Sequence, residues 1–191
     1  RIAMLSGISW LIQIKTTLFN VNLDWFSSNI SIQTLILLAG GLFLLYKSTL
    51  EIFQKVEDVE EGPINKNLKS ISYSRALFQI ILIDIVFSFD SILTAVGMTN
   101  GIPYALWIMI ISVIVSIIIM MSFAAPVSRY INKHPSLQIL GLSFLLLIGF
   151  MLIAESAYLS NTTFFGSSMG RIPKGYLYFS ITFSLGIEMV N

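Results

Sequence analysis

Cysteine is absent from the 191 residues, and histidine occurs once, as His134. The first absence excludes disulfides, thiolate metal sites and cysteine nucleophiles. The second excludes a histidine-rich metal centre, and no Ser–His or HExxH arrangement exists to support hydrolytic chemistry. Charge is scarce as well. Charged residues make up 11% of the chain and hydrophobic ones 55%, whereas soluble domains carry about 25% charged residues. This is the composition of a membrane protein. A net charge of +1 and the lack of a basic run leave no footprint for nucleic acid. The first apolar stretch is not followed by a small-residue cleavage site, so it reads as a spanning helix rather than a signal peptide.

A helix needs about 20 apolar residues to cross the hydrocarbon core. Six stretches approach that length: 2–18, 34–53, 76–96, 104–125, 137–159 and 176–191. The expected fold is therefore all-α, a polytopic bundle of six spans forming one transmembrane domain over 1–191. The chain starts at Arg1, and both ends fall at short hydrophobic segments, so it reads as a fragment truncated at the N-terminus and also at the C-terminus. All five prolines fall between the six stretches, where a missing N–H is tolerated. Most tyrosines lie near segment ends, as an interfacial aromatic belt requires.

Orientation follows from the basic residues of short loops. Arg1, Lys47, Lys55, Lys66, Lys69, Arg75, Arg129 and Lys133 collect on one side, against Lys15, Arg171 and Lys174 on the other. That bias places the loops 54–75 and 126–136 in the cytoplasm. The run Glu57-Asp58-Val59-Glu60-Glu61 in the first of them reads as a solvated loop rather than a cation sensor, because such charge blocks repel. Met109, Met120, Met121 and Met151 read as apolar filler rather than soft-metal ligands. Gly40-Gly41 marks a close helix contact.

What the sequence does contain is acid in the wrong place. Asp84, Asp90, Glu155 and Glu188 lie inside the hydrophobic stretches, and no Lys or Arg lies in the middle of those stretches to neutralise them. An ionisable group in the bilayer costs at least ~2.5–3.5 kcal/mol, so such groups face protein, pair, or line an ion path. On a regular helix Asp84, Ser88 and Ser91 share a face, while Asp90 points about 120° away and is roughly 9 Å further along the axis. Asp84 and Asp90 thus serve successive positions on a path, unless the helix unwinds near Ser88 and Asp90. The alternative is polar glue between helices, each acid protonated and bonded to a serine or a carbonyl. Glu155 is either a path residue or an interfacial acid about a turn from its span's outer end. Glu188 continues the stripe Ser180, Ser184, Glu188, Asn191 on one helix face, which must meet protein or water. The metal-ligand set read from the sequence is Asp84, Asp90, Ser88, Ser91, Glu188 and Glu155. All supply hard oxygen, which suits Mn²⁺, Ca²⁺ or Mg²⁺ over zinc or copper.

The run Leu82-Ile83-Asp84-Ile85-Val86-Phe87-Ser88-Phe89-Asp90-Ser91-Ile92, followed by Thr94-Ala95-Val96-Gly97, resembles the second acidic motif of TerC-family integral membrane proteins. So do the Leu38-Ala39-Gly40-Gly41-Leu42-Phe43-Leu44-Leu45 stretch, the Lys133-His134-Pro135-Ser136 turn, and Ile172-Pro173-Lys174-Gly175-Tyr176 through Glu188 to Asn191. The resemblance covers essentially the whole chain. It implies about seven spans in the full protein and a link to manganese export or, by older naming, tellurium resistance. Some members of that family are associated with calcium or proton exchange, or with membrane-protein biogenesis. It carries a cation role to Asp84, Asp90 and Ser91. The family's first acidic motif would precede Arg1, so part of the cation site would lie outside this chain.

These readings combine into an expected divalent-cation exporter of the cytoplasmic membrane, with Mn²⁺ first and Ca²⁺ next. No permanently bound cofactor is expected, and the partners are the lipid bilayer, the transported cation and protons moving inward. Asp84 and Asp90 would be ligands and proton sites, Ser88 and Ser91 neutral oxygens, and Glu155 the outer exit. The rival is a biogenesis factor without transport. An enzyme is not expected, because two aspartates pointing apart on one helix do not make an aspartyl protease.

Overall fold

The computed structural model describes residues 17–23, 26–60, 73–99 and 103–190. In chain order they form strands β1 (Thr17–Leu23) and β2 (Phe26–Ser31), then helices α1 (Ile32–Glu60), α2 (Tyr73–Thr99), α3 (Ala105–Lys133) and α4 (Pro135–Leu159). Two short strands, β3 (Thr163–Phe164) and β4 (Ser167–Ser168), precede a last helix, α5 (Lys174–Val190).

Four helices among the described residues are long and apolar enough to cross a membrane: Ile32–Glu57, Leu77–Thr99, Ala105–Lys133 and Pro135–Leu159. The expected six-span bundle is therefore corrected to four candidate spans, within the expected polytopic helical class. The first expected span, 2–18, lies outside the described residues except for Thr17 and Leu18, which open β1. The sixth corresponds to α5, described over Lys174–Val190, which is not among these four. Pro126 also departs from expectation. It lies inside α3 rather than in a loop, so the expected 126–136 loop is helical apart from His134. There the chain reverses, with Pro135 at the start of α4, where its fixed φ suits a first helical turn. Of the expected 54–75 loop, 54–60 continue α1 and 73–75 begin α2, while 61–72 lie outside the described residues.

The centre of the molecule is the antiparallel pair α1 and α4. A Cβ added at Gly41 would lie 2.7 Å from the Gly149 carbonyl oxygen, and one added at Gly149 would lie 3.0 Å from that of Gly41. The two backbones touch there, and only glycine fits. Gly40 faces the other way, onto Val86 of α2. The close contact expected of Gly40-Gly41 is thus two contacts, one to each neighbouring helix. Around them Leu37, Leu44, Val86, Phe89 and Leu152 form a buried core shared by α1, α2 and α4.

A small antiparallel sheet in the order β1-β2-β3-β4 closes one end of this pair. Phe26 pairs with Phe164 and Ser27 with Thr163, and the Asn29 N–H donates to the Ser160 carbonyl at 2.8 Å. Ser31 caps α1. Its N–H donates to Thr34 Oγ1 at 2.9 Å while its own Oγ accepts from the Thr34 N–H at 3.3 Å, the reciprocal bonding of a capping box. Below the sheet, Ser156 Oγ donates to the Thr34 carbonyl at 2.7 Å, and Ser160, Thr162 and Ser28 form a chain of buried hydroxyls. The start of α1 and the end of α4 are thereby fastened through polar groups that water would otherwise have to satisfy.

The remaining helices pack more loosely. Ile92 of α2 and Met109 of α3 make a second small core, and α3 otherwise presents large apolar side chains such as Trp107, Ile118 and Phe123 outward. Helix α5 has no buried residue.

Candidate cation site

Helix α2 is unbroken from Tyr73 to Thr99. Asp84 and Asp90 are therefore held at successive levels, roughly 9 Å apart along the axis, and cannot share one ion. The unwound alternative is not what the helix adopts. Asp84 is half-buried and engaged within the protein. Among the described residues no three of His, Asp and Glu converge to hold a metal ion.

At Asp90 the expectation of an acid without a basic partner is overturned. Lys174, at the first turn of α5, donates to Asp90 Oδ1 at 2.7 Å, to Oδ2 at 2.8 Å and to Thr94 Oγ1 at 2.6 Å. An ammonium has three N–H donors, and these three acceptors match them. Thr94, four residues after Asp90 and hence on the same face, completes the cradle and donates its hydroxyl to the Asp90 carbonyl at 2.9 Å. The side chains of Lys174 and Asp90 are 20% and 23% exposed, so the pair is largely withdrawn from solvent and salt screens it weakly.

Glu155 is partnered too. Arg171 Nη2 is 3.6 Å from its Oε1, with the glutamate 11% and the arginine 52% exposed. Both basic residues come from the segment entering α5. Positive charge absent from the middle of the stretches that hold these acids arrives from a flanking segment that folds back onto them.

The two serines part company. Ser91 Oγ donates to the Ser88 carbonyl at 3.0 Å, satisfying itself within the helix. Ser88 Oγ is buried with no partner. It lines a cavity of about 400 Å³ between α2 and α3 together with Ser91, Thr99, Ser112 and Ser116. A buried hydroxyl without a partner costs ~1–3 kcal/mol, so a row of hydroxyls along a cavity between two apolar helices marks a place suited to water or another polar guest.

On α5, Ser180, Ser184 and Glu188 are half-buried while Phe179, Phe183, Leu185 and Ile187 are exposed. The stripe expected to meet protein or water is the less exposed side of α5, with the apolar side outward. Its last member, Asn191, lies outside the described residues. The structure thus joins Asp90 to the α5 segment and Glu155 to its approach, and gathers neither Asp84 nor Glu188 into that cluster.

Lys174, Arg171 and Thr94 were not among the residues singled out from the sequence. Thr94 carried a signal, since a hydroxyl four residues after an intramembrane acid shares its face. The two basic residues were legible only as flanking charges that set orientation.

The family described as "Integral membrane protein TerC family" matches residues 1–191. The "UPF0053 inner membrane protein YgdQ" of Escherichia coli (strain K12) is 39% identical over the whole chain, which covers 71% of that protein. A "UPF0053 protein" of Haemophilus influenzae is also 39% identical, with 72% of its length covered. The "UPF0053 inner membrane protein YoaE" of Escherichia coli is 38% identical, and there the chain covers 33%. No solved structure matches the chain.

Proposed function

Because this chain belongs to the TerC family of integral membrane proteins, we propose that it exports a divalent cation, Mn²⁺ first, across the cytoplasmic membrane. Relatives named as inner membrane proteins support that location. The loops 54–75 and 126–136 would face the cytoplasm, which puts the sheet on the outer side. Asp90 carries the reading: it is a carboxylate within a candidate span whose two oxygens already hold a positive charge, the Lys174 ammonium. A site that stabilises one cation offers the same hard oxygens to another. Asp84 would receive the ion nearer the cytoplasm, and Ser88, Ser91 and the hydroxyl-lined cavity would replace part of its hydration. Glu155 would line the outer exit, with protons moving inward as the driver.

The experiment is cellular manganese content by elemental analysis, in cells lacking their own exporter and loaded with manganese. Full-length wild type is expected to lower it, and Asp90→Asn to behave as empty vector. Equal content in all three, with the proteins present in the membrane, would defeat the export reading. A second reading, assembly of other membrane proteins, draws on the outward apolar surface of α3. It expects Asp90→Asn to be tolerated.

A further inference from the structure

We propose that Lys174 is a tethered competitor of the transported cation, occupying Asp90 between transport events and leaving when a divalent ion arrives, which frees the entry to α5. This rests on the reading of Asp90 as part of a cation path.

The geometry makes occupancy exclusive. Both Asp90 oxygens accept from Lys174 Nζ, at 2.7 and 2.8 Å, and a metal ligated by that carboxylate needs the same lone pairs. The lysine reaches Asp90 across 84 positions of sequence, so it is brought there by the fold rather than by helix neighbourhood. A Lys near the end of a membrane helix ordinarily extends its ammonium toward the interface. Lys174 instead points inward, with all three donors matched.

The polar hold on α5 is correspondingly narrow. The helix has no buried residue, whereas Arg171 and Lys174 bring two ion pairs from one short segment. Proline at position 173 fixes one backbone dihedral, its φ, in the short stretch between them. Removing Lys174 from Asp90 therefore loosens the segment that anchors α5.

Charge decides what can remove it. A bound Lys174 and a bound monovalent ion each neutralise one carboxylate charge, so a monovalent ion gains little by exchange. A divalent ion brings twice the charge to the same oxygens at a ligand distance near 2.0–2.6 Å, shorter than the ammonium contact, and Coulomb attraction scales with both. Lys174 then acts as a filter on ion charge. The exchange balances: the ion takes the Asp90 oxygens, and the ammonium passes to water.

The test uses the full-length protein in sealed vesicles, with Ile172→Cys as its only cysteine and labelling by an impermeant maleimide added to the outer face. Ile172 is half-buried between the two basic residues. Lys174→Met and Asp90→Asn are each expected to raise the labelling rate about tenfold, a change typical of losing a partly buried charged contact. The double variant, which leaves no unpaired charge, should equal either single one and guards against misfolding as the cause. Millimolar Mn²⁺ should raise the wild-type rate similarly, equal Na⁺ should not, and Mn²⁺ should add nothing in Lys174→Met. Unchanged labelling in the variants overturns the latch even if cells export manganese. Raised labelling in the variants with no response of wild type to Mn²⁺ overturns the competition. Failure of export itself shows separately, in the cellular manganese content.

Discussion

The α1–α4 pair and the α2–α5 contact are both helix pairings, yet opposite means hold them. Between α1 and α4 the backbones meet at Gly41 and Gly149, a sheet spans the far end, and hydroxyls bond carbonyls across the seam. Between α2 and α5 the recorded bonds are those of one lysine to Asp90 and Thr94. Close packing has no alternative state of similar energy, because the interior is dense and its dispersion contacts are lost outright when surfaces part. An ion pair does have one, since each partner can be satisfied by water or another ion. The first pairing suits a fixed frame, the second a part that moves.

That contrast is easiest to break at the glycines. Gly41→Val should separate α1 from α4 or prevent folding, since even its Cβ would stand 2.7 Å from a backbone oxygen that cannot rotate away. Overpacking typically costs ~1–3 kcal/mol, and a backbone obstacle lies at or above the top of that range. Gly186→Ala on α5, where nothing lies within 4 Å, should leave the thermal midpoint in detergent unchanged or slightly raised, since alanine favours a helix over glycine by about 1 kcal/mol. Similar midpoints for the two variants would remove the distinction between frame and moving part.

A smaller effect is expected at Ser156→Ala, which strips the donor from the Thr34 carbonyl beneath the sheet. That carbonyl keeps its bond within α1, so the loss is of one buried hydrogen bond, ~0.5–1.5 kcal/mol. Hydrogen exchange should then quicken in β2 and the first turn of α1, with little change at α5. The smallest effect belongs to Arg171→Gln. Its guanidinium is half-exposed and 3.6 Å from Glu155, and such pairs contribute ~0–1 kcal/mol. Its thermal midpoint should stay near that of wild type. A large drop there would mean that the two ion pairs act as one network.

The hydrophobic runs made the membrane class and the four central helices legible, because each carries enough apolar length to stand without neighbours. The sixth stretch reads as a span by its apolar run, but the described residues of it form a 17-residue helix that is not among the four candidate spans. Pro126 reads as a break in sequence, yet α3 continues through it. The sheet escaped notice because β3 and β4 are two residues each and β1 and β2 are interrupted by Asn20, Asn22 and Asn29, a residue depleted in strands; it forms where it closes the ends of α1 and α4. Ser31 and Thr34 had the spacing of a capping box and were readable. Asp90 was found because an acid in an apolar run is locally anomalous. Its partner was not, since Lys174 looks ordinary where it stands and gains meaning only when the fold brings it to α2.

The long sequence separation of that pair also has a history in time. Residues enter the membrane in order of synthesis, and Lys174 follows Asp90 by 84 positions. At ribosomal rates of about 5–20 residues per second, Asp90 waits roughly 4–17 s for its lysine. During that interval Asp90 is without its lysine and must draw on a proton, a lipid headgroup or the insertion machinery for company. The newborn protein therefore passes through a stage in which Asp90 is open to any cation at hand, before its own lysine closes the site.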